Sequence, residues 1–273
     1  MYYKFYGLRE EPFNITPDPA FLFHSRKHED AFFNLLYGIK NRKGFMELTG
    51  SIGAGKTTIY RALLDQLGGE VKSALIINPS LSPLQLLMTI IEDFEIDAPK
   101  KNRKGYFDAL NAFLVGVAER GSTALLILDE AQNLKPATLE QIRLLSNFET
   151  NKKKLLQILL VGQPELRQLL AKRSLAQIRQ RVAVSTHLEP LDREETEQYM
   201  AHRIKVAGGK GMLIFDAPAV DEIFQYSQGI PRLINILADK ALLMSYMKET
   251  GQKPRDLATG APPFPEIQGT AQV

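Results

Sequence analysis

The residues with the clearest chemical potential form an unbroken run at positions 50–57, Gly-Ser-Ile-Gly-Ala-Gly-Lys-Thr. This run matches the G-x-x-x-x-G-K-[ST] pattern, in which backbone N–H groups surround phosphate oxygens. Gly50, Gly53 and Gly55 permit the torsions and the close approach that such a loop needs. Lys56 supplies a positive charge for the β- and γ-phosphates, and the Thr57 hydroxyl is a ligand for Mg²⁺. The other interpretation is a glycine-rich turn with an incidental lysine.

A second chemical feature is the acid pair Asp129-Glu130, which ends the fully apolar run at residues 125–128. Asp129 can bind Mg²⁺ directly or through water, and Glu130 can act as the general base that polarises an attacking water. Alone, the pair could equally be a solvated turn, but the phosphate loop favours catalysis. The sequence therefore predicts an ATPase that binds ATP with Mg²⁺. Its predicted nucleotide-binding residues are Gly50, Ser51, Ile52, Gly53, Ala54, Gly55, Lys56, Thr57, Thr58 and Asp129.

The elements that must position these residues are short apolar strands. Four apolar runs, at residues 45–49, 74–77, 124–128 and 155–161, predict strands buried on both faces, and residues 182–188 form a weaker fifth candidate. The stretches between them have helical periodicity; for example, residues 57–67 place their large apolar side chains on one face. Strands that alternate with helices indicate a parallel sheet covered on both sides. Both chemical features then lie at the carboxyl ends of strands, where ligands collect.

The character of the chain changes after Pro190. From residue 192 onward the pattern predicts only helices, at residues 193–206, 218–227 and 231–247, with Asp192 and Asp216 as N-caps of the first two. We therefore expect an α/β domain over residues 1–191, including an N-terminal segment at residues 1–44, and an all-helical domain over residues 192–250. A Pro- and Gly-rich tail at residues 251–273 is expected to be disordered.

The amino-acid composition excludes several kinds of functional site. The net charge is only +3, from 34 basic and 31 acidic residues, so bulk electrostatics do not indicate a nucleic-acid or membrane-surface protein. The chain has no cysteine, which excludes disulfides, thiolate nucleophiles and cysteine-based zinc sites. The sequence shows neither a signal peptide nor about 18 consecutive apolar residues, so we expect a cytoplasmic protein without direct membrane insertion.

Several motifs together resemble a known family. The loop, the acid pair and the helical region are similar to an AAA+ ATPase. More narrowly, the chain resembles the ExeA or general secretion pathway protein A family over about residues 1–250, in Phe5-Tyr6-Gly7-Leu8, Glu11-Pro12-Phe13, Thr16-Pro17-Asp18-Pro19, Asp129-Glu130-Ala131-Gln132, residues 144–150 and Val161-Gly162-Gln163-Pro164. The resemblance implies an α/β AAA+ P-loop NTPase fold, with a five-stranded parallel sheet followed by a small all-helical lid domain. Longer members carry a transmembrane segment and a cell-wall-binding domain; neither is visible here, so we expect no direct peptidoglycan role.

The resemblance also assigns roles to residues around the acid pair. Gln163, which ends the fourth predicted strand, would be the first sensor and contact the γ-phosphate or the attacking water. Asn78, which ends the second, would be a switch that holds Glu130 inactive through a hydrogen bond. Asn78 is also an ordinary turn residue before proline, and Gln163 could be a plain polar residue at a strand end.

Three arginines receive roles in the same way. Either Arg179 or Arg181, with Arg181 preferred, would reach into a neighbouring subunit's site as a finger; either could instead form a surface ion pair. Arg232 would be the second sensor, pointing from the lid to the γ-phosphate, or else a surface arginine at a helix start. The N-terminal segment would lie by the adenine, without an assignment for any single residue.

The sequence allows more than one interpretation of the binding partners. The resemblance implies a homo-oligomer, such as a hexameric ring, that assembles a secretion, pilus or polysaccharide-export machine and lies at the inner membrane through its partners. An alternative is an ATP-controlled, DNA-binding regulator of transposition, in which DNA would contact the basic runs Lys100–Lys104 and Lys152–Lys154; these are otherwise solvated loops. A third is a nucleotide-binding scaffold with negligible turnover, against which the intact acid pair argues. We expect no metal other than Mg²⁺.

Overall fold

The apolar runs assemble into one five-stranded parallel sheet in the computed structural model, which describes residues 2–77, 80–150, 153–209 and 215–250. The strands are β1 (Phe45–Gly50), β2 (Val71–Ile76), β3 (Thr123–Leu128), β4 (Leu156–Gly162) and β5 (Val182–Leu188). Their order is β2-β3-β4-β1-β5, and every pair is parallel. Because the strands are parallel and β4 lies between β3 and β1, the carboxyl ends of β1, β3 and β4 are neighbours at one edge of the sheet.

Helices cover both faces of the sheet. Those of the first part of the chain are α2 (Arg26–Lys40), α3 (Lys56–Leu67), α4 (Pro83–Asp93), α5 (Arg103–Glu119), α6 (Pro136–Leu145), α7 (Pro164–Ala171) and α8 (Ala176–Arg179). The short helix α1 (Tyr2–Phe5) precedes them and does not pack on the sheet. Successive strand residues point to opposite faces. Leu125 therefore packs with α2 and α3 in one core cluster, whereas Leu126 packs with α4, α5 and α6 in the other.

The central strands are buried on both faces as predicted, but β2 is not. Lys72 and Ser73 are exposed, and Ile77, predicted as the last residue of this strand, lies beyond its end with 60% of its surface exposed. The reason is position, because β2 is an edge strand with a neighbour on one side only. An apolar run of four residues does not reveal whether its strand is central or at an edge.

A third core is formed by the last helices, α9 (Arg193–Val206), α10 (Ala217–Ser227) and α11 (Pro231–Thr250), which we call the lid. Asp192 caps α9 in a reciprocal capping box with Glu195. The N-terminus belongs to the same core: Tyr2, Leu8 and Phe13 are buried against the lid helices. The predicted boundaries placed residues 1–44 with the sheet, whereas these first residues pack on the lid. Residues 251–273, the predicted tail, lie outside the described part of the chain.

Candidate active site

The phosphate loop, residues 50–57, connects β1 to α3 at the edge where the strands end. Two of its glycines have left-handed backbone torsions, with φ of +80° at Gly53 and +101° at Gly55. Residues with a Cβ rarely adopt such torsions, so the glycines are required by the path of the loop. The last loop residues open α3, whose N-terminus points its free N–H groups and positive partial charge toward the loop.

Lys56 is buried and folded back onto its own loop. Its Nζ donates hydrogen bonds to the carbonyl oxygens of Gly50, at 2.7 Å, and Ser51, at 2.9 Å. Burial lowers the pKa of Lys56, and the negative charges of Glu130 and Asp129 oppose this effect. The ammonium group is therefore held at the loop with two carbonyl partners, which phosphate oxygens can replace.

Asp129 follows β3 and lines the same cleft as the phosphate loop. Its Oδ2 accepts a hydrogen bond from the Tyr60 hydroxyl at 3.1 Å, and its Oδ1 accepts one from the backbone N–H of Glu130 at 2.9 Å. Burial raises the pKa of Asp129, while these two hydrogen bonds lower it. Burial is also the main cause that raises the pKa of Tyr60 to about 12, so this hydroxyl stays a donor. The Asp129 carboxylate and the Thr57 hydroxyl line the same cleft and are oxygen donors of the kind Mg²⁺ prefers.

Glu130 is held by two side-chain amides. Its Oε2 accepts from Gln132 Nε2 at 2.5 Å and from Gln163 Nε2 at 3.2 Å. Gln163 therefore lies beside the predicted base, at the start of α7, as expected from its place after β4. Sequence reasoning gave Gln132 no role. Its only signal was its place in the motif Asp129–Gln132. Asn78, the predicted switch, lies outside the described residues.

The lid touches the phosphate loop directly at Arg232. The backbone N–H of Arg232, in the first turn of α11, donates to the Gly53 carbonyl oxygen at 3.2 Å. The approach is so close that a Cβ added to Gly53 would lie 2.4 Å from the Cβ of Arg232. Arg232 thus lines the cleft together with the loop, where the sequence placed it.

Arg181 and Arg179 lie outside the cleft. The Arg181 guanidinium closes the C-terminal end of α6, where its Nη1 donates to the Arg143 carbonyl at 3.3 Å, to Asn147 Oδ1 at 2.7 Å and to the Ser146 hydroxyl. Arg179 Nη1 makes a 3.4 Å hydrogen bond to the carbonyl of Ala171. Neither arginine lines the cleft of its own chain. A role in a neighbouring subunit's site remains the prediction.

The cleft beside the loop is closed by the N-terminal segment on one side and by the lid on the other. Residues 14–18 and 21–23 form one wall, and the lid contributes Tyr199, Arg203 and Asn235 to the other. Arg203 joins the walls, because its Nη2 donates to the Asn14 carbonyl at 3.0 Å. Its guanidinium also lies 4.6 Å from the centre of the Phe21 ring.

Sequence reasoning also missed a histidine beneath the loop. His28 is buried, and its Nε2 lies 3.0 Å from the carbonyl oxygen of Ala54, while its Nδ1 lies 2.8 Å from the Ser25 hydroxyl. Burial lowers the pKa of His28, and the bond to Ala54 opposes this effect. A neutral ring with its proton on Nε2 satisfies both contacts, since Nε2 then donates to the carbonyl and Nδ1 accepts from the hydroxyl. The context of His28 is unsuited to a metal site, and its contact with the loop appears only in the folded chain.

Comparison with known proteins shows similarity to a family of AAA domains and to a secretion-pathway protein. Residues 39–170 match the family described as AAA domain. Over 249 residues the chain is 42% identical to General secretion pathway protein A of Aeromonas hydrophila, in an alignment that covers 91% of this chain and 45% of the relative. The chain thus spans less than half the length of this relative.

Solved structures agree on the fold. The ORC2 protein of Aeropyrum pernix, in ADPNP and ADP complexes, superposes with a TM-score of 0.64 at 16% identity, over 89% of this chain and 68% of that one. Cdc6p of Pyrobaculum aerophilum gives 0.64 at 17% identity, over 88% and 66% of the two chains. RuvB, a Holliday junction branch migration motor of Thermotoga maritima, gives 0.52 at 16%, over 83% and 69%. These likenesses confirm the predicted fold class. Across the described residues, no helix is both long and apolar enough to cross a membrane.

Proposed function

The chain belongs to the AAA+ family and is related to general secretion pathway protein A, as its motifs predicted, and from this premise we propose that it binds ATP with Mg²⁺ and hydrolyses the nucleotide. The observation that carries the proposal is the placement of Glu130 next to Asp129 at the end of β3, in one cleft with Lys56 and the phosphate loop. A binding site alone would not need a second carboxylate there. A hydrolytic site needs one to take a proton from water.

Each residue then has a defined task. Lys56 exchanges its carbonyl partners for phosphate oxygens and compensates the negative charge that builds up there. Thr57 and Asp129 would hold Mg²⁺, which when bound would neutralise negative charge on the phosphates. Glu130 removes a proton from the attacking water, and Gln163 orients that water or the γ-phosphate. Arg232 brings the lid to the phosphates, because its backbone is already bonded to the loop at Gly53.

The test of hydrolysis compares binding with turnover. Glu130→Gln keeps the shape of the side chain and its acceptor oxygen but removes the base. We expect its affinity for a fluorescent ATP analogue to stay within about threefold, while phosphate release falls about 10²-fold or more. Glu222→Gln, which makes the same change at an exposed position of α10, is the matched control and should behave as the wild type. Undiminished turnover in Glu130→Gln would remove Glu130 as the base.

We propose further that the chain acts as a homo-oligomer, such as a hexameric ring, and that ATP turnover helps to assemble a secretion, pilus or polysaccharide-export machine at the inner membrane. The similarity to a secretion-pathway protein supports this proposal and does not favour the alternative of a transposition regulator that binds DNA. Arg181 would complete a neighbouring site, for which it must release the end of α6. Mixing Arg181→Ala with Glu130→Gln subunits should then restore turnover above the level of either variant. Without any recovery, Arg181 is only a structural residue of α6.

A further inference from the structure

Gln132 is inserted between the acid pair and the end of β4, and its carboxamide bonds in two directions. Its Nε2 donates to Glu130 Oε2 at 2.5 Å, and its Oε1 accepts from the backbone N–H of Gln163 at 3.1 Å. One side chain therefore connects the segment after β3 with the segment after β4. These two segments carry the predicted base and the predicted sensor.

The orientation of this amide is fixed by its partners. A backbone N–H can only donate and an ionised carboxylate can only accept, so a flipped amide would oppose donor to donor and acceptor to acceptor. The side chain also fits closely against Gly162, because a Cβ at that position would lie 2.7 Å from Gln132 Oε1. The space that Gln132 occupies thus exists because position 162 has no side chain.

Glu130 needs such a restraint. Its backbone has φ of +52° and ψ of +37°, in the left-handed region, which is uncommon for a residue with a Cβ. The side chain of glutamate also has several rotatable bonds, so without a restraint it can leave the reactive position. A general base acts efficiently only when it is held within hydrogen-bond reach of the proton that it removes.

We propose that Gln132 is a positioning residue for hydrolysis, which fixes the Glu130 carboxylate relative to the backbone of Gln163. This inference rests on the proposed ATPase function. Gln132 itself does not line the cleft, and its contact with the lining is the hydrogen bond to Glu130. Its effect passes through Glu130, and the affinity for nucleotide is therefore unaffected by its loss.

The main experiment uses Gln132→Met, which keeps the length of the side chain and removes both hydrogen bonds. We expect kcat to fall about 10-fold to 100-fold, which corresponds to about 1.4–2.7 kcal/mol in the barrier. KM for ATP and the affinity for an ATP analogue should stay within about threefold of the wild type. In the Glu130→Gln background, the same substitution should cause no further loss of turnover, because the residue through which Gln132 acts is already absent.

A second readout tests the geometry without catalysis. In Gln132→Met, the backbone N–H of Gln163 loses its acceptor, so hydrogen exchange of the peptide that contains Gln163 should become faster. Gln132→Glu keeps an acceptor for that N–H but faces Glu130 with a like charge. This variant should retain the slow exchange and still lose turnover.

The outcomes separate the inference from the function on which it rests. If Glu130→Gln eliminates turnover while Gln132→Met keeps the wild-type kcat, only the positioning role of Gln132 is refuted. The same follows if Gln132→Met reduces turnover equally in both backgrounds, since its effect would then not pass through Glu130. If the wild type itself shows no turnover that depends on Glu130, the proposed function fails and the inference fails with it.

Discussion

Replacing Arg203 by methionine should cost the protein about 3 kcal/mol of unfolding free energy. Arg203 lies on α9 with only 6% of its surface exposed. Its guanidinium donates to the carbonyl oxygens of Pro12, at 2.5 Å, and Asn14, at 3.0 Å, and thereby attaches the N-terminal segment to the lid. Methionine retains most of the apolar stem, so the substitution mainly removes the charged donor.

The magnitude follows from these contacts. The two hydrogen bonds to carbonyl oxygens contribute about 1.5–3 kcal/mol each, which gives a loss of about 3–6 kcal/mol. A third hydrogen bond, from Nη1 to the Tyr199 hydroxyl at 3.1 Å, adds about 1.5 kcal/mol. The contact of the guanidinium with the ring of Phe21 adds about 0.5–2 kcal/mol. These losses are partly offset, because the arginine must lose its hydration water when it is buried as a cation, at a cost of several kcal/mol, and methionine does not. The difference is a net destabilisation of about 3 kcal/mol.

The assay is urea unfolding followed by circular dichroism, with linear extrapolation to water and a check that the slope m is unchanged. Arg193→Met is the matched control, because it removes an arginine from the same helix. Arg193 lies at the surface, where it pairs with Glu197 and Asp221, so its loss should cost much less than the loss of Arg203. Equal losses in the two variants would refute the reasoning that the buried contacts of Arg203 contribute more than ion pairs at the surface.

Three further predictions concern the phosphate loop and the histidine beneath it. Gly53→Ala places a Cβ at a left-handed torsion and 2.4 Å from the Cβ of Arg232, so ATP affinity measured by calorimetry should fall at least about tenfold. The control is Gly69→Ala, where the added Cβ meets no atom within 4 Å. Equal ATP affinity in the two variants would contradict the steric argument. Because burial lowers the pKa of His28, the folded chain binds fewer protons than the unfolded chain below pH of about 6.5. The free energy of unfolding should therefore fall on acidification from pH 7.5 to 5.5, by up to about 1.4 kcal/mol per pH unit. His28→Gln, whose amide can still donate to Ala54, should show a smaller loss over this range, and identical pH slopes would exclude His28 as a source. Tyr60→Phe removes a donor to Asp129 and should raise the Mg²⁺ concentration needed for half-maximal nucleotide binding, whereas an unchanged requirement would show that this hydrogen bond does not prepare Asp129 for the metal.

The parts of the fold that the sequence predicted are those set by local pattern. The central strands were recognisable because both faces are buried, which produces a continuous apolar run such as Leu125–Leu128. The phosphate loop was recognisable because its glycines are required by local torsions. The lid helix α9 begins at Arg193, as predicted, because Asp192 caps it.

What the sequence did not predict depends on contacts between distant residues. Tyr2 donates to the carboxylate of Asp239, 237 positions later, and no local pattern at either residue indicates that partner. The roles of Gln132 and His28 arise in the same way. Gln132 needs the empty position at Gly162, and His28 needs the carbonyl of Ala54 within reach. Polar residues of this kind resemble solvated residues until the elements that surround them are assembled.

These distant contacts also explain how the loop, the lid and the N-terminal segment can respond together. His28 reaches the loop at Ala54, and Arg232 of the lid reaches it at Gly53. The lid shares a core with Tyr2, Leu8 and Phe13, so it cannot move away from the loop without the N-terminal residues. Among the described residues, lid and loop are joined by a single backbone hydrogen bond, which contributes about 1 kcal/mol. Nucleotide binding in the micromolar range supplies about 8 kcal/mol, so a small fraction of that energy suffices to shift the lid, whereas the lid's own core stays intact.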